Sequence, residues 1–407
     1  MRNVVITGIG VLSPIGIGKE PFWDALAAGR TGFRPVTLFD TSSFRTNIAG
    51  EITDFDPLAL LGKKGLRDLD RSTRLLCSAA KLAIEDGKLE ITGEKTHTTG
   101  VAVGATYGSL HSISQFDRTA IIEGPRAVNP SHFPNTVLNS PASQVSIRFN
   151  IKGFNTTVST GFCASLDAAA YAADFIRFNR ADAVLAGGVE ELCEETFMYF
   201  HALGYLSGAD SSTASCCPFD ARRKGTILSE AAAVLVLEDE QTAAQRNAAV
   251  LARFRGYANA FDPSAKENFH GTGAGLKRAV LLALEDASLA PEDIDYICAC
   301  SNGSPELDRT ETAVIKSVFG SHAYATPVSS IKSMVGEAYS ASGALALSAA
   351  VGALHRNLIP PTMNFQLQDP ECDLDCVPNK AKQHRVQNVL ITAVDPYGQS
   401  SAAVLGK

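Results

Sequence analysis

The groups in this 407-residue chain able to do covalent or acid–base chemistry are its nine cysteines, eight histidines and a few acids and lysines set among apolar residues. Cys163 stands out by position. It follows Thr160-Gly161-Phe162 and opens an alanine-rich run, so a strand, a tight turn and a helix start meet there. A thiol at a helix N-terminus feels the dipole and the free N–H groups, which favour thiolate and hence nucleophilic catalysis. The competing reading is a small residue packed on an Ala-rich helix, because free cysteine is among the most buried residue types. Cys300 divides the same way, between a thiol in a pocket and packing at a strand end. Asp308 and Glu311 have the look of a paired-carboxylate site. Cys216-Cys217, Cys298-x-Cys300 and Cys372-x3-Cys376 lack partner pairs at zinc spacing, so no metal is expected. Gly8-x-Gly10 lacks the third glycine and the helix start of a dinucleotide loop, and no cofactor is expected.

The elements that must position these groups follow from hydrophobic pattern. Val4–Gly10 reads as a buried strand, with Val11-Leu12-Ser13-Pro14 continuing extended, and 71–86 has helical spacing. Gly100–Gly104 is a second strand. Then Thr156–Thr160 (strand), Gly161–Cys163 (turn), Ala164–Asn179 (helix) and Ala183–Ala186 (strand, closed by Gly187-Gly188) have the length of a βαβ crossover. A similar grammar returns later: a strand at 294–299, a small-residue helix at 343–354 entered from Val335-Gly336-Glu337, and a strand at 389–393 followed by Tyr397-Gly398. The chain is therefore expected to be α/β and internally duplicated, with halves at 1–245 and 246–407 and no Pro/Ser linker between them. Net charge is 36 − 43 = −7 without a basic cluster, which argues against nucleic acid as the main partner. With 45% hydrophobic and 19% charged residues a large core is affordable in sequence terms, and no run of 18 apolar residues suggests a membrane span. The N-terminal segment lacks the pattern of a signal peptide, and unpaired cysteines fit a reducing cytoplasm.

Several ordered blocks carry a closer likeness: Val4-x-Ile6-Thr7-Gly8-Ile9-Gly10, the 181–190 run ending Gly187-Gly188-Val189-Glu190, Pro218-Phe219-Asp220-x2-Arg223-x-Gly225-x4-Glu230, Val328-Ser329-Ser330-x-Lys332-Ser333-Met334-x-Gly336, and Pro360-Pro361-Thr362-x-Asn364. From Val4 to Val404 the chain resembles the condensing enzymes of fatty-acid and polyketide synthesis, the β-ketoacyl-ACP synthases of thiolase fold. The resemblance implies a duplicated fold with two βαβ-rich halves layered α-β-α-β-α. It also implies a site of one Cys at a helix N-terminus, two His and a Lys. Counting from Gly153 and back from Ala181 both put Phe162, not Cys163, at the Cys position. Moving Cys163 there needs an insertion and a helix deletion, and the deletion would rotate later residues by about 100°. The first His position is Cys300, the second is Glu337, and Lys332 keeps its place. None of the histidines, at 97, 111, 132, 201, 270, 322, 355 and 384, meets either motif. The mobile glycine-rich gate of the family is reduced to Pro396-Tyr397-Gly398-Gln399-Ser400-Ser401, and its Gly-Glu-Gly-Ala to Ser229-Glu230-Ala231-Ala232.

Among such enzymes the chain looks like a chain-length factor, a ketosynthase homologue without the nucleophile. The resemblance implies a heterodimer with an active ketosynthase, contact with acyl carrier protein, and a role in shaping the acyl tunnel of type II polyketide or polyene synthesis from malonyl-ACP; polyene-type pathways are slightly favoured. Phe133, Asn135, Thr136 and Leu138 fall in the segment that lines the pocket and crosses the dimer interface in that family, and Tyr397 in the gate. Phe162 is expected to fill the top of the old pocket. Lys332 is expected to pair with Glu230 or Glu337, and Asp308 and Glu311 to be structural. The alternative is an atypical acyltransferase or condensing enzyme using Cys163 or Cys300 with Lys332 and Glu337.

Overall fold

The computed structural model describes residues 2–210, 212–266 and 271–407, so His270 lies outside the described residues. Strands β1 (Val4–Ser13), β2 (Thr99–Gly104), β3 (Asn155–Val158), β4 (Ala183–Glu190) and β5 (Ala231–Asp239) build one half. Strands β6 (Ala252–Phe261), β7 (Tyr296–Cys298), β8 (Val328–Ser329), β9 (Asn388–Val394) and β10 (Gln399–Gly406) build the other. Their spatial orders are β3-β2-β4-β5-β1 and β8-β7-β9-β10-β6, one permutation used twice. The senses repeat as well. β2 runs parallel to β3 and β4, and β5 antiparallel to β4 and β1. Likewise β7 runs parallel to β8 and β9, and β10 antiparallel to β9 and β6. A short pairing of β1 with β6, Val5 opposite Arg253, joins the halves edge to edge.

The helices that matter are α1 (Arg71–Asp86), α2 (Leu110–Ile122), α3 (Ala164–Arg177), α4 (Glu194–Ala202), α5 (Ala274–Ala287), α6 (Pro305–Phe319) and α7 (Ser342–Arg356). α3 and α7 lie between the two half-sheets, α7 touching β5 and β9 and α3 touching β2, β4 and β10. α1 covers the outer face of the first half and α5 that of the second. The result is the α-β-α-β-α layering of the thiolase fold. Composition explains the middle layer. Every residue of α7 from Ser342 to Leu354 is buried, and only a helix apolar or small all round can be. Gly343 lets α7 approach α3: a Cβ there would lie 2.8 Å from the Leu166 backbone nitrogen.

Gly187-Gly188 does not close its strand; β4 continues through it to Glu190. The reason is crowding, since a Cβ on Gly187 would meet Ala233 O at 2.0 Å and one on Gly188 would meet Ser340 O at 2.7 Å. A glycine pair marks a turn in most sequences, but here it marks close approach. The same holds at Gly10 of β1, where a Cβ would lie 2.0 Å from Ala79 O of α1. Gly10→Ala must therefore prise α1 from the sheet, and we expect a loss of about 2–3 kcal/mol by urea unfolding, as for overpacked cores. A loss below about 0.5 kcal/mol would contradict this packing.

Candidate functional site

The turn before α3 is dictated by one glycine. Gly161 has φ +62°, and a Cβ there would sit 1.9 Å from Asp395 Oδ2, so no other residue fits. Residues Gly161–Cys163 form a single 3-10 turn that points the next two side chains into the body. Phe162 is 2% exposed and its ring meets Tyr339 at 5.6 Å and Phe200 at 6.0 Å. Tyr107 and Phe200 each contact Tyr339 in turn, at 5.4 and 5.3 Å. These separations are those of packed aromatic pairs. The Phe162 N–H, at the mouth of the helix, donates to Asp395 Oδ2 at 3.1 Å. Cys163 turns away and its Sγ reaches the Gln399 carbonyl at 3.5 Å. Burial pushes the Cys163 thiol well above the ordinary range, so the helix dipole does not make it a thiolate.

From the second half come Cys300, Lys332 and Glu337. Cys300 is buried and its thiol is likewise pushed well above the usual value by burial. Its N–H donates to Glu311 Oε1 at 3.1 Å and Thr392 Oγ1 at 3.0 Å. Glu311 also accepts the Ser301 N–H, while Asp308 accepts those of Phe219, Asn302 and Gly303. The two α6 carboxylates hold neighbouring turns and do not converge on one opening. Lys332 Nζ donates to Glu337 Oε2 at 2.7 Å. The same oxygen accepts Asn302 Nδ2 at 2.7 Å, and Oε1 accepts the Ser342 hydroxyl at 2.7 Å. Burial alone would lower the Lys332 value, but the charge and hydrogen bond of Glu337, together with Cys300 and Glu311, outweigh it and the net shift is upward. Glu230 serves another pair, accepting Arg71 Nε at 2.6 Å.

Phe162, Cys300 and Lys332 border one cavity together with Ile331, Val335 and Val394, and its volume is about 10 Å³. That is room for about one water. Three of the four positions picked out by counting thus border a space with no capacity for an acyl chain, and the fourth, Glu337, joins them through its bond to Lys332. Tyr397 lies over the same region. Its N–H donates to Asp395 Oδ1 at 2.9 Å and its hydroxyl meets that of Tyr199 on α4. The other four residues belong elsewhere. Phe133 is 59% exposed on the 3-10 segment Pro130–Thr136, its ring 6.2 Å from Phe116 of α2. Asn135 is buried and donates to Asp68 O at 2.8 Å, Thr136 Oγ1 donates to Phe133 O at 2.8 Å, and Leu138 packs on Gly108. Beneath this segment is a cavity of about 450 Å³ bordered by Asp68, His111, Gln115, Phe116, Val128 and Asn135.

Sequence reasoning missed Asp395, Tyr107, Phe200 and Tyr339. Asp395 carried a signal, standing immediately before the altered gate segment; the aromatics are dispersed along the chain and carried none.

The family model for "Beta-ketoacyl synthase, N-terminal domain" matches residues 1–243, and that for "Beta-ketoacyl synthase, C-terminal domain" residues 251–366. The chain is similar to 3-oxoacyl-[acyl-carrier-protein] synthase 2 of Coxiella burnetii, 36% identical over 100% of this chain and 99% of the relative. It is similar to the tetracenomycin polyketide synthase ketoacyl synthase alpha subunit of Streptomyces glaucescens, 37% identical over 100% of this chain and 97% of the relative. Among solved structures it is similar to the ishigamide ketosynthase/chain length factor, with a TM-score of 0.93, 33% identity, and coverage of 100% of this chain and 99% of that one. A type II polyketide synthase acyl-carrier protein in complex with its ketosynthase bound to the hexaketide gives a TM-score of 0.89 and 28% identity, over 100% and 99%.

Lys332→Met strands a buried carboxylate and is expected to cost about 3–5 kcal/mol, whereas Lys332→Met with Glu337→Leu should recover most of that loss. Equal unfolding free energies for the single and double variants would contradict the pairing. A second expectation concerns pH. Burial pushes Glu190 and Asp308 up to about 7 and Glu191 up to about 8. Each therefore holds its proton more tightly when folded. The stability so gained is complete below the unfolded-state values and lost as pH rises through 7 to 8. Urea midpoints should fall between pH 5 and 8, and Glu191→Gln should flatten the upper part of the decline; identical profiles for the two proteins would refute that assignment.

Proposed function

The chain belongs to the β-ketoacyl synthase family, and within it we propose a non-catalytic chain-length factor that pairs with an active ketosynthase in type II polyketide or polyene synthesis. The observation that carries this reading is Phe162. A nucleophile is wanted on the turn that opens α3, and a phenyl ring occupies that place with two aromatic neighbours, Phe200 and Tyr339, packed against it. The electrostatics agree. Thiolate acylation needs free N–H donors where negative charge develops. Here the Phe162 N–H is already bonded to a carboxylate, and Glu337 adds a second anion nearby. Cys163 and Cys300 are buried with thiols held protonated, which speaks against the acyltransferase alternative.

The surface supports a partner. β3 is the outermost strand of the first half, so one of its hydrogen-bonding edges is open. Exposed apolar side chains flank it: Ile121 and Ile122 on α2, Phe133 and Val137 beyond, Ile147 on the helix Ser140–Phe149, and Tyr171 on α3. An open edge beside an apolar band is costly to leave in water and suits a subunit of the same fold presenting its own edge strand. We take the 450 Å³ cavity behind Phe133 as this chain's share of the acyl tunnel, lying against that partner.

Co-expression with an active ketosynthase should give a 1:1 complex that loads acyl groups on the partner only, read by intact-protein mass spectrometry after incubation with acyl-ACP or cerulenin. Acylation of Cys163 would overturn the non-catalytic reading. A monodisperse homodimer that refuses ketosynthase partners would overturn the heterodimer. In a working complex Phe116→Ala, which removes a ring bordering the 450 Å³ cavity, alone or with Phe133→Ala, whose ring packs on Phe116, should lengthen the product by at least one extension unit. Phe162→Cys should leave this subunit unacylated, because Glu337 and Asp395 remain.

A further inference from the structure

A second concave site lies at the opposite end of the sheet. Three adjacent strands deliver cations to one place. Arg2 precedes β1, Arg253 and Arg255 alternate on β6, and Lys407 follows β10. Val5 of β1 lies opposite Arg253, and so does Gly406 of β10, so these side chains are set at strand spacing, about 5 Å. Arg253 and Arg255 are two apart and both point outward, between buried Ala252 and Phe254. Arg177, the last residue of α3, closes the group. Together with Asp286 they border a cleft of about 470 Å³.

The charges there do not balance. Arg2 pairs with Asp182 at 2.9 Å, Arg177 with Asp286 at 3.1 Å and Arg253 with Glu240 at 2.6 Å. Arg255 and Lys407 form no ion pair among the described residues: Arg255 Nη1 donates to Asn388 Oδ1 and Lys407 Nζ to Asn357 Oδ1, each at 2.9 Å. Arg255 is also seated deliberately. A Cβ on Gly406 would lie 2.5 Å from Arg255 Cδ and 3.0 Å from Asn388 Oδ1, so the glycine makes room for the arginine stem that Asn388 then orients. Arg2 and Arg177 also have second carboxylates in Asp239 at 4.0 Å and Asp174 at 3.6 Å, so the uncompensated positive charge on the cleft wall is that of Arg255 and Lys407, which an anion seated between them would offset.

We infer that this cleft binds a phosphate-bearing small anion. A phosphoryl group carries close to two negative charges at neutral pH and three acceptor oxygens, which the planar forks of Arg253 and Arg255 can grip bidentately. The site is separate from the filled one. Phe261, which pairs with Gln399 beside Cys163, is eight residues along β6 from Arg253, about 27 Å away. The inference holds whether or not the chain is a chain-length factor.

Isothermal titration of the full chain with inorganic phosphate, pyrophosphate and ADP, at ionic strength held constant with sodium chloride, tests it. One-to-one binding is expected, at least tenfold weaker in Arg255→Gln and weakened to a lesser degree in Arg255→Lys. Arg278→Gln, an exposed arginine outside the cleft, should bind like the parent. ADP tighter than pyrophosphate identifies a nucleotide as the ligand type, and equal affinities identify a free phosphate. Absence of binding at millimolar probe, or an equal loss in Arg278→Gln, overturns the site. Arg255 is exposed, and unchanged thermal midpoints without ligand will show that the variants fold.

Discussion

Two helices govern this architecture because they have almost no water to face. Burying α7 on every side, and α3 on all but a narrow strip at Tyr171 and Asp174, favours small residues, Ala in both and Gly and Ser as well in α7, interspersed with Leu, Ile and Val, so that two half-sheets can close on them. Side-chain volume is then scarce in the middle layer, and each glycine there replaces a clash. The layer also sets where chemistry can occur. A helix buried along its length can offer polar groups only at its ends, and the N-terminal ends of α3 and α7 meet near Phe162 and Glu337. The duplicated strand order explains the meeting, since each half brings its third strand into its own buried helix by the same route.

At that junction the buried polar groups satisfy one another. The Phe162 N–H, the Lys332 ammonium, the Asn302 amide and the Ser342 hydroxyl all end on carboxylates of Asp395 or Glu337. Fully bonded buried networks of this kind resist change: each member removed leaves its partner unpaired in a low dielectric. The aromatic group seals what space remains. Packing and charge thus close the site independently, and reversing either one leaves the other in place.

How much of this was legible depended on whether the residues concerned are neighbours in sequence. The boundaries of α1, the start of α3 (which ends at Arg177, two residues before the expected Asn179), the 161–163 turn and the duplication followed from local pattern, because a buried helix or strand stamps its period on consecutive residues. Collinear blocks then located Phe162, Cys300, Lys332 and Glu337, and the structure gathers the four. Of the two carboxylates considered for Lys332, only Glu337 lies five residues on across a tight Gly336 turn; Glu230 is spent on Arg71. Tyr107, Phe200 and Tyr339 were invisible because they are dispersed along the chain and leave no periodic trace, and Asp395, whose contact with Phe162 spans 233 residues, was signalled only by its place before the gate segment. The Gly187-Gly188 pair misled for the opposite reason, since a local turn signal and a distant packing demand use the same residue.

The contrast between closed interior and open rim bears on function. A condensing subunit acting alone needs a reachable elbow, and an unreachable one makes the chain's remaining assets those of its surface. On the first half these are an unpaired strand edge, an apolar band and a cavity behind Phe133, all belonging to elements that touch one another: the 3-10 segment touches α2 and the Ser140–Phe149 helix, which touches β3. Exposed Ile and Phe cost solubility and an open strand edge invites misassembly, so neither feature is neutral in water. Their presence beside a site closed by both packing and charge is consistent with the proposed subunit that completes another chain's tunnel.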